Sequence, residues 1–222
     1  MPHLDFDLYL ITDRHQTRDR SLVSVIEEAL KAGVKAIQLR EKDLPTRPLL
    51  ELAYELRKLT RAYSARLLIN DRVDLCLAVE ADGVHLRGDS LPVERVRSLL
   101  GPEKLIGVST HSVQEAQKAQ REGADFIVLG PIYFTPSKAP YGSPLGPVIL
   151  QAARQAGVTL SIFAIGGVTP ERIQEIRSAD ADGVAVISAI LTAENVQQAM
   201  KDFLRRLAMA KSHKASLEKK TG

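Results

Sequence analysis

Short β-branched apolar runs alternate with longer segments of helical period along this chain, and they predict an α/β fold. Two further observations narrow that class to one architecture. The alternation recurs eight times, the number at which a parallel sheet closes on itself. The chain has 222 residues, 45% of them hydrophobic, enough for one core and in keeping with the roughly 200 to 250 residues of a barrel. The prediction is a single-domain (β/α)8 TIM barrel.

The candidate strands are Leu8 to Thr12, Ala36 to Arg40, Leu67 to Asn70, Gly83 to Leu86, Ile106 to Thr110, Phe126 to Pro131, Ile162 to Gly166 and Gly183 to Ser188. Helical period is plain in Leu22 to Ala32, where Val25, Ile26, Ala29 and Leu30 fall on one face and Gly33 follows as a C-terminal stop. Pro92 and Pro170 stand where a first helical turn should begin, since a missing backbone donor costs nothing there. Ser112 and Glu115 have capping-box spacing ahead of Val113 to Arg121, and Gly123 ends that segment. The structural alternative is an open doubly wound sheet, but no GxGxxG turn follows the first strand.

Composition excludes several function classes. A formal net charge of +3 with 26% charged residues is far from the dense basic surface of a nucleic-acid binder, so no nucleic-acid partner is expected. Part of the basic balance comes from Lys211, Lys214, Lys219 and Lys220, in a segment poor in apolar residues. The domain is accordingly expected over 1–210, with 211–222 a disordered basic tail. The single cysteine, Cys76, lies in an apolar run and is read as a buried structural thiol rather than a nucleophile. With neither a signal-like N-terminus nor an 18-residue apolar stretch, the expectation is a cytoplasmic protein with no membrane partner. Small molecules are the expected partners, with self-association as a homo-oligomer left open.

In a barrel of this kind the chemistry gathers at the C-terminal ends of the strands. The residues there are heavily polar: Asp13 and Arg14; Arg40, Glu41 and Lys42; Asn70, Asp71 and Arg72; His85, Arg87 and Asp89; Ser109, Thr110 and His111; Thr135, Ser137 and Lys138; Gly166 and Gly167; and Ser188. Each has a structural reading too. Arg40 and Glu41 could form an ion pair bracing the rim, and His85 could be a hydrogen-bonded core histidine. What favours function is that every strand end carries such groups. Gly166 and Gly167 would let backbone amides approach an anion, with Ser188 at the neighbouring strand end. Arg40, Lys42 and Lys138, with the Thr135 and Ser137 hydroxyls, would suit a pyrophosphate. Asp71 and Asp89 are hard oxygen ligands of the kind that hold Mg²⁺ beside phosphate.

Taken together, QLREK at Gln38 to Lys42, IND at Ile69 to Asp71, DGVHL at Asp82 to Leu86 and GVSTH at Gly107 to His111 resemble the thiamine phosphate synthase family. GPIYFTPSK at Gly130 to Lys138, AIGG at Ala164 to Gly167 and GVAVISAI at Gly183 to Ile190 extend the resemblance in the same order, over nearly the whole of Leu8 to about Leu207. The resemblance implies a transferase of thiamine biosynthesis that joins an aminopyrimidine methyl diphosphate to a thiazole phosphate and releases pyrophosphate, with Mg²⁺. It implies that Gln38, Leu39, Arg40, Glu41 and Lys42 line the substrates, with Arg40, Lys42, Ser109 and Lys138 acting on the departing diphosphate. Asn70 would lie near the pyrimidine, and Asp71 would hold the metal. Thr135 and Ser137 would meet phosphate oxygens, and Gly167, Ile187 and Ser188 would grip the thiazole phosphate.

Two departures stand out. Where the family's second metal-ligating Asp is usual, this chain has Ser90, with Asp89 one place early and Arg87 available to supply charge to the diphosphate. TPSK replaces the usual TxTK, which keeps the hydroxyl. The same family has a thiazole tautomerase branch, which needs no diphosphate site and for which His111 would be the proton shuttle. From another class, a non-catalytic protein binding a phosphorylated ligand would keep the pocket without the turnover. The segment Tyr133 to Pro144 is expected to close over the substrates to shield the reacting groups from water.

Overall fold

The computed structural model describes residues 4–136 and 142–221, with side chains as far as Ser212. Eight parallel strands close into a barrel in sequence order. They are β1 (Leu8–Ile11), β2 (Ala36–Leu39), β3 (Arg66–Asn70), β4 (Gly83–Leu86), β5 (Leu105–Thr110), β6 (Phe126–Leu129), β7 (Ser161–Ile165) and β8 (Gly183–Val186), the last pairing back onto β1 through Tyr9 and Ala185. The helices α1 (Leu22–Lys31), α2 (Thr46–Ala62), α3 (Val73–Ala78), α4 (Val93–Leu100), α5 (Val113–Arg121), α6 (Val148–Gln155), α7 (Ile173–Ser178), α8 (Ser188–Leu191) and α9 (Val196–Thr221) lie between and after them. Among the described residues no helix is long and apolar enough to cross a membrane.

The alternation of strand side chains separates two cores. One set of positions, Leu8, Leu10, Ile37, Leu39, Leu67, Ile69, Val84 and Leu86 among them, packs outward against the helices. The other set, Tyr9, Ile11, Ala36, Leu68, Leu105, Phe126, Val128, Phe163 and Ala185, fills the barrel interior above Phe6. The interior is built from rings: Phe126 meets Tyr9 edge-on and stands 5.5 Å from Phe163. Glycine makes room for them. A Cβ on Gly107 would come within 2.3 Å of the Phe126 ring and 2.7 Å of His85 Nδ1, so a large side chain on one strand requires none on its neighbour.

The floor of the barrel carries a repeated brace. Asp82, Asp125 and Asp182 each precede a strand, and each turns its carboxylate to a backbone N–H at the start of the preceding strand, that of Leu67, Ile106 and Ile162. Each is paired with an arginine from the helix that leads into that preceding strand: Arg57 of α2, Arg97 of α4 and Arg154 of α6. Local signals behave as chemistry requires. Ser112 caps α5 by accepting from Glu115 N, while the Glu115 carboxylate takes the N–H of His111 rather than of Ser112. Gly33 adopts φ +107° past the end of α1. Cys76 is buried, its Sγ directed at the Gly83 carbonyl, and burial pushes its thiol up to about 11.

One difference concerns the C-terminal segment expected to be disordered from Lys211. The backbone of α9 is helical to Thr221. Between Val196 and Thr221 there is neither Gly nor Pro, and alanine, lysine, glutamate and leucine, all good helix formers, recur there; low hydrophobicity removed a reason to pack, not a reason to be helical.

Candidate active site

Parallel strands place all their C-terminal ends on one mouth, and the pairings set the groups there side by side. Asn70 is in register with His85, and His85 with Gly107, two residues before Ser109. Asn70, His85 and Ser109 follow the inward-facing positions of their strands, whereas Leu39 belongs to the outer core. Leu39 therefore reaches the mouth only through its backbone, and its side chain packs against helices. Gln38 is buried below the mouth and donates to the Tyr9 hydroxyl at 3.1 Å.

Arg40 follows β2. Its backbone N–H is held by the Thr12 hydroxyl at 2.9 Å. Glu41, whose side chain is 1% exposed, accepts from Arg14 N at 3.0 Å and from Arg14 Nη1 at 3.3 Å. The rim brace is thus Glu41 with Arg14, not Glu41 with Arg40. Among the described residues no carboxylate lies within ion-pair distance of the Arg40 guanidinium. Burial holds its ionisation below the ordinary arginine range, with the Arg87 cation adding to the effect and Asp13, Glu41 and Asp71 opposing it. Lys42 is exposed on the same loop.

Asp71 stands just past β3 with φ 58°, a left-handed conformation uncommon outside glycine, Asn and Asp. That bend turns its carboxylate into a ring of donors. Arg87 Nε reaches Oδ2 at 2.6 Å, Asn70 Nδ2 reaches the same oxygen at 3.2 Å, and the Ser90 hydroxyl donates to Oδ1. Ser90 Oγ in turn accepts from Arg87 N at 2.7 Å. Asp89 does not join them: its side chain is 73% exposed and touches only the far edge of the guanidinium, Arg87 Nη2, at 3.4 Å.

His85 is buried, its Nε2 2.9 Å from Ser109 Oγ and its Nδ1 without a hydrogen-bond partner among the described residues. Burial pushes its pKa down to about 3, so the ring is neutral and fixes the hydroxyl it touches. His111 is exposed and lies against Glu115, 3.3 Å from its carboxylate.

Across the mouth, Gly166 and Gly167 have φ values of 95° and 63°. Side chains would not fit at either: a Cβ on Gly166 would meet Pro131 at 2.7 Å, and one on Gly167 would meet the Phe134 carbonyl at 2.8 Å. Sequence reading missed the cluster behind them. Arg172 donates to the Gly167 carbonyl and stacks 4.1 Å from the centre of the Tyr133 ring, whose hydroxyl donates to Glu175 at 2.6 Å. The tyrosine stood in the GPIYFTPSK stretch as a signal that could have been followed. Ile187 is partly buried, and Ser188 is exposed as the first residue of α8. Thr135 is half-buried; Ser137 and Lys138 lie outside the described residues, as does much of the segment expected to close.

The family model for thiamine monophosphate synthase matches residues 8–190. The chain is 44% identical to the thiamine-phosphate synthase of Chloroflexus aurantiacus, over 96% of this chain and 97% of that one. It is 53% identical, over 86% of this chain and 89% of the relative, to a Geobacter sulfurreducens protein whose assignment as thiamine-phosphate synthase is provisional. The solved thiamine phosphate pyrophosphorylase of Pyrococcus furiosus superposes with a TM-score of 0.83 at 36% identity, covering 92% of this chain and 96% of that one. The chain belongs to the thiamine monophosphate synthase family.

Proposed function

We propose that the chain is a thiamine-phosphate synthase, a transferase that joins the aminopyrimidine methyl diphosphate to a thiazole phosphate and releases pyrophosphate. The single observation that carries this is the Arg40 guanidinium, at the barrel mouth with no carboxylate within ion-pair distance among the described residues, beside the Asp71–Arg87 pair. Such a group is matched to an anion supplied from outside.

In the reaction, the bond between the pyrimidine methylene and the diphosphate oxygen breaks, and its electron pair leaves with pyrophosphate. The aminopyrimidine ring stabilises the methylene cation, and the thiazole nitrogen supplies the pair that forms the new C–N bond. Catalysis is then electrostatic: charges fixed in advance stabilise the leaving oxygens. Arg40, Lys42 and Lys138 bind the diphosphate with the Thr135 and Ser137 hydroxyls, while Ser109, held by neutral His85, donates beside it. Asn70 meets the pyrimidine, and Gly167, Ile187 and Ser188 receive the thiazole phosphate. No general base is needed for bond formation.

Magnesium stands differently. Both Asp71 oxygens already accept from Arg87, Asn70 and Ser90, and Asp89 is turned outward. Among the described residues no three His, Cys, Asp or Glu side chains converge as a metal-binding group. With Arg87 and Ser90 on its oxygens and Asp89 turned away, the Asp71 carboxylate as placed does not fit a resident divalent ion.

In a tautomerase His111 would be the best candidate for the proton shuttle, and that ring is exposed against Glu115. The deciding experiment supplies both substrates and follows pyrophosphate and thiamine phosphate together. Equimolar formation is expected. Binding of the thiazole phosphate with no turnover would replace the synthase with a binding protein, and isomerisation of the thiazole alone would replace it with a tautomerase.

A further inference from the structure

We infer that Arg87 takes the place of a divalent ion at Asp71, so that this chain holds the diphosphate with side-chain cations and binds it without magnesium. The inference rests on the synthase reading and adds to it a residue and a metal requirement.

The Asp71 carboxylate, at the end of β3, is already engaged by donors on both of its oxygens. Arg87 Nε lies 2.6 Å from Oδ2, and the Ser90 hydroxyl occupies Oδ1. Magnesium binds carboxylate oxygen at roughly 2.0 to 2.1 Å with octahedral demands. An ion at Oδ2 would meet the guanidinium head-on, and an ion at Oδ1 would have to turn the Ser90 hydroxyl away.

The loop fixes the backbone from which Arg87 and Ser90 reach Asp71. Arg87 N donates to Ser90 Oγ at 2.7 Å while Ser90 N donates to the Arg87 carbonyl at 3.1 Å, closing a tight turn on both sides. Ser90 is thereby a hydrogen-bond donor to Asp71. A carboxylate at that position would instead oppose Asp71 and demand a cation between them. The arginine and the serine are consistent as a pair: one supplies the charge, and the other removes the need for a second.

What remains is a cationic surface. Arg87 is close enough to Arg40 for the two charges to oppose each other, and its side chain is 40% exposed, within reach of a ligand. The Arg87 and Arg40 guanidinium groups thus stand on either side of the Asp71 carboxylate, with the other nearby carboxylates engaged elsewhere: Glu41 with Arg14 and Asp89 at the outer edge of Arg87. Planar forks of this kind bind phosphate oxygens in pairs.

The test is calorimetric binding of inorganic pyrophosphate to the full chain in the presence of a chelator, for wild type, Arg87→Gln, Arg87→Lys and the double variant Arg87→Gly with Ser90→Asp. Wild type is expected to bind under chelation, and added Mg²⁺ is expected to change its affinity by less than about threefold. Arg87→Gln should bind about tenfold more weakly at unchanged melting temperature, with Arg87→Lys between the two. The double variant should gain Mn²⁺ binding, read by electron paramagnetic resonance without any substrate, and should need the metal to bind pyrophosphate. Wild-type binding that requires Mg²⁺, or a folded Arg87→Gln that binds as wild type does, overturns the inference. If Arg87→Gln fails to fold, Arg87→Lys and the double variant decide by the same criteria. A magnesium-dependent synthase would sink Arg87's role and keep the proposed function; chelator-resistant, Arg87-dependent binding in a protein that makes no thiamine phosphate would do the reverse.

Discussion

The Nε2 atom of His85 lies 2.9 Å from the Ser109 hydroxyl, and the rest of the imidazole is sealed among Tyr9 and Phe126 inside the barrel. A ring buried there cannot carry charge cheaply, and its pKa falls to about 3. Its work is to orient Ser109 as a neutral hydrogen-bond partner, not to move protons.

Stability should therefore depend on pH through this residue. Its folded pKa is depressed, so the unfolded chain binds the extra proton first as pH falls below the ordinary value of 6.5. The contribution is complete above about 6.5 and is lost progressively as pH falls toward 3. Each pH unit across that window costs about 1.4 kcal/mol at most. Urea midpoints of wild type should fall steadily with acidification, and those of His85→Gln should lose much of that slope. Equal slopes in both proteins would show that His85 is not held neutral.

On the floor of the barrel, Asp125 accepts from Ile106 N at 2.7 Å and from Arg97 at 2.6 Å, with its side chain 4% exposed. Asp125→Ala leaves a strand N–H and a largely buried guanidinium without their acceptor, and should destabilise the fold by about 3 kcal/mol. Asp125→Asn, which keeps an acceptor oxygen but not the charge, should cost less. Chemical denaturation of the two variants checks the order, and the reverse order would assign the brace to packing alone.

The barrel was legible in the sequence because its signal is physical and local: β-branched runs between helical periods can be buried in few ways, and each strand lies within two residues of its expected place. The mouth was legible as a set of polar residues but not as a set of partners. Glu41 was weighed against its neighbour Arg40, yet its partner Arg14 comes from the adjacent strand's loop, a pairing that only barrel closure creates. Asp89 and Ser90 could not be ranked from spacing, because which of two adjacent residues faces inward depends on the turn that Ser90 Oγ closes with Arg87 N. The floor braces went unread although Ala-Asp precedes three strands, since the pattern gains meaning only with the arginines that reach it.

That turn yields a prediction for Asp89. Its exposed contact to Arg87 at 3.4 Å belongs to the class of surface ion pairs worth little. Asp89→Ala should leave turnover within about threefold of wild type. Asp71→Ala should not be so mild, since it strips Arg87, Asn70 and Ser90 of their shared acceptor. Steady-state rates for the two variants decide it, and an inactive Asp89→Ala would return Asp89 to the site.

Arg40 tests the electrostatic mechanism itself. Its backbone is anchored by Thr12, so the side chain can be changed without releasing the loop. If the guanidinium acts mainly on charge that develops as pyrophosphate departs, Arg40→Ala should lower kcat and kcat/KM together by roughly 100- to 1000-fold. If it only binds the diphosphate, KM should rise while kcat holds. Arg40→Lys keeps a charge but not the paired geometry and should fall between wild type and Arg40→Ala. A loss below about threefold in Arg40→Ala would mean that the cation stands beside the reaction rather than in it, and the electrostatic account of catalysis would have to move to other residues at the mouth.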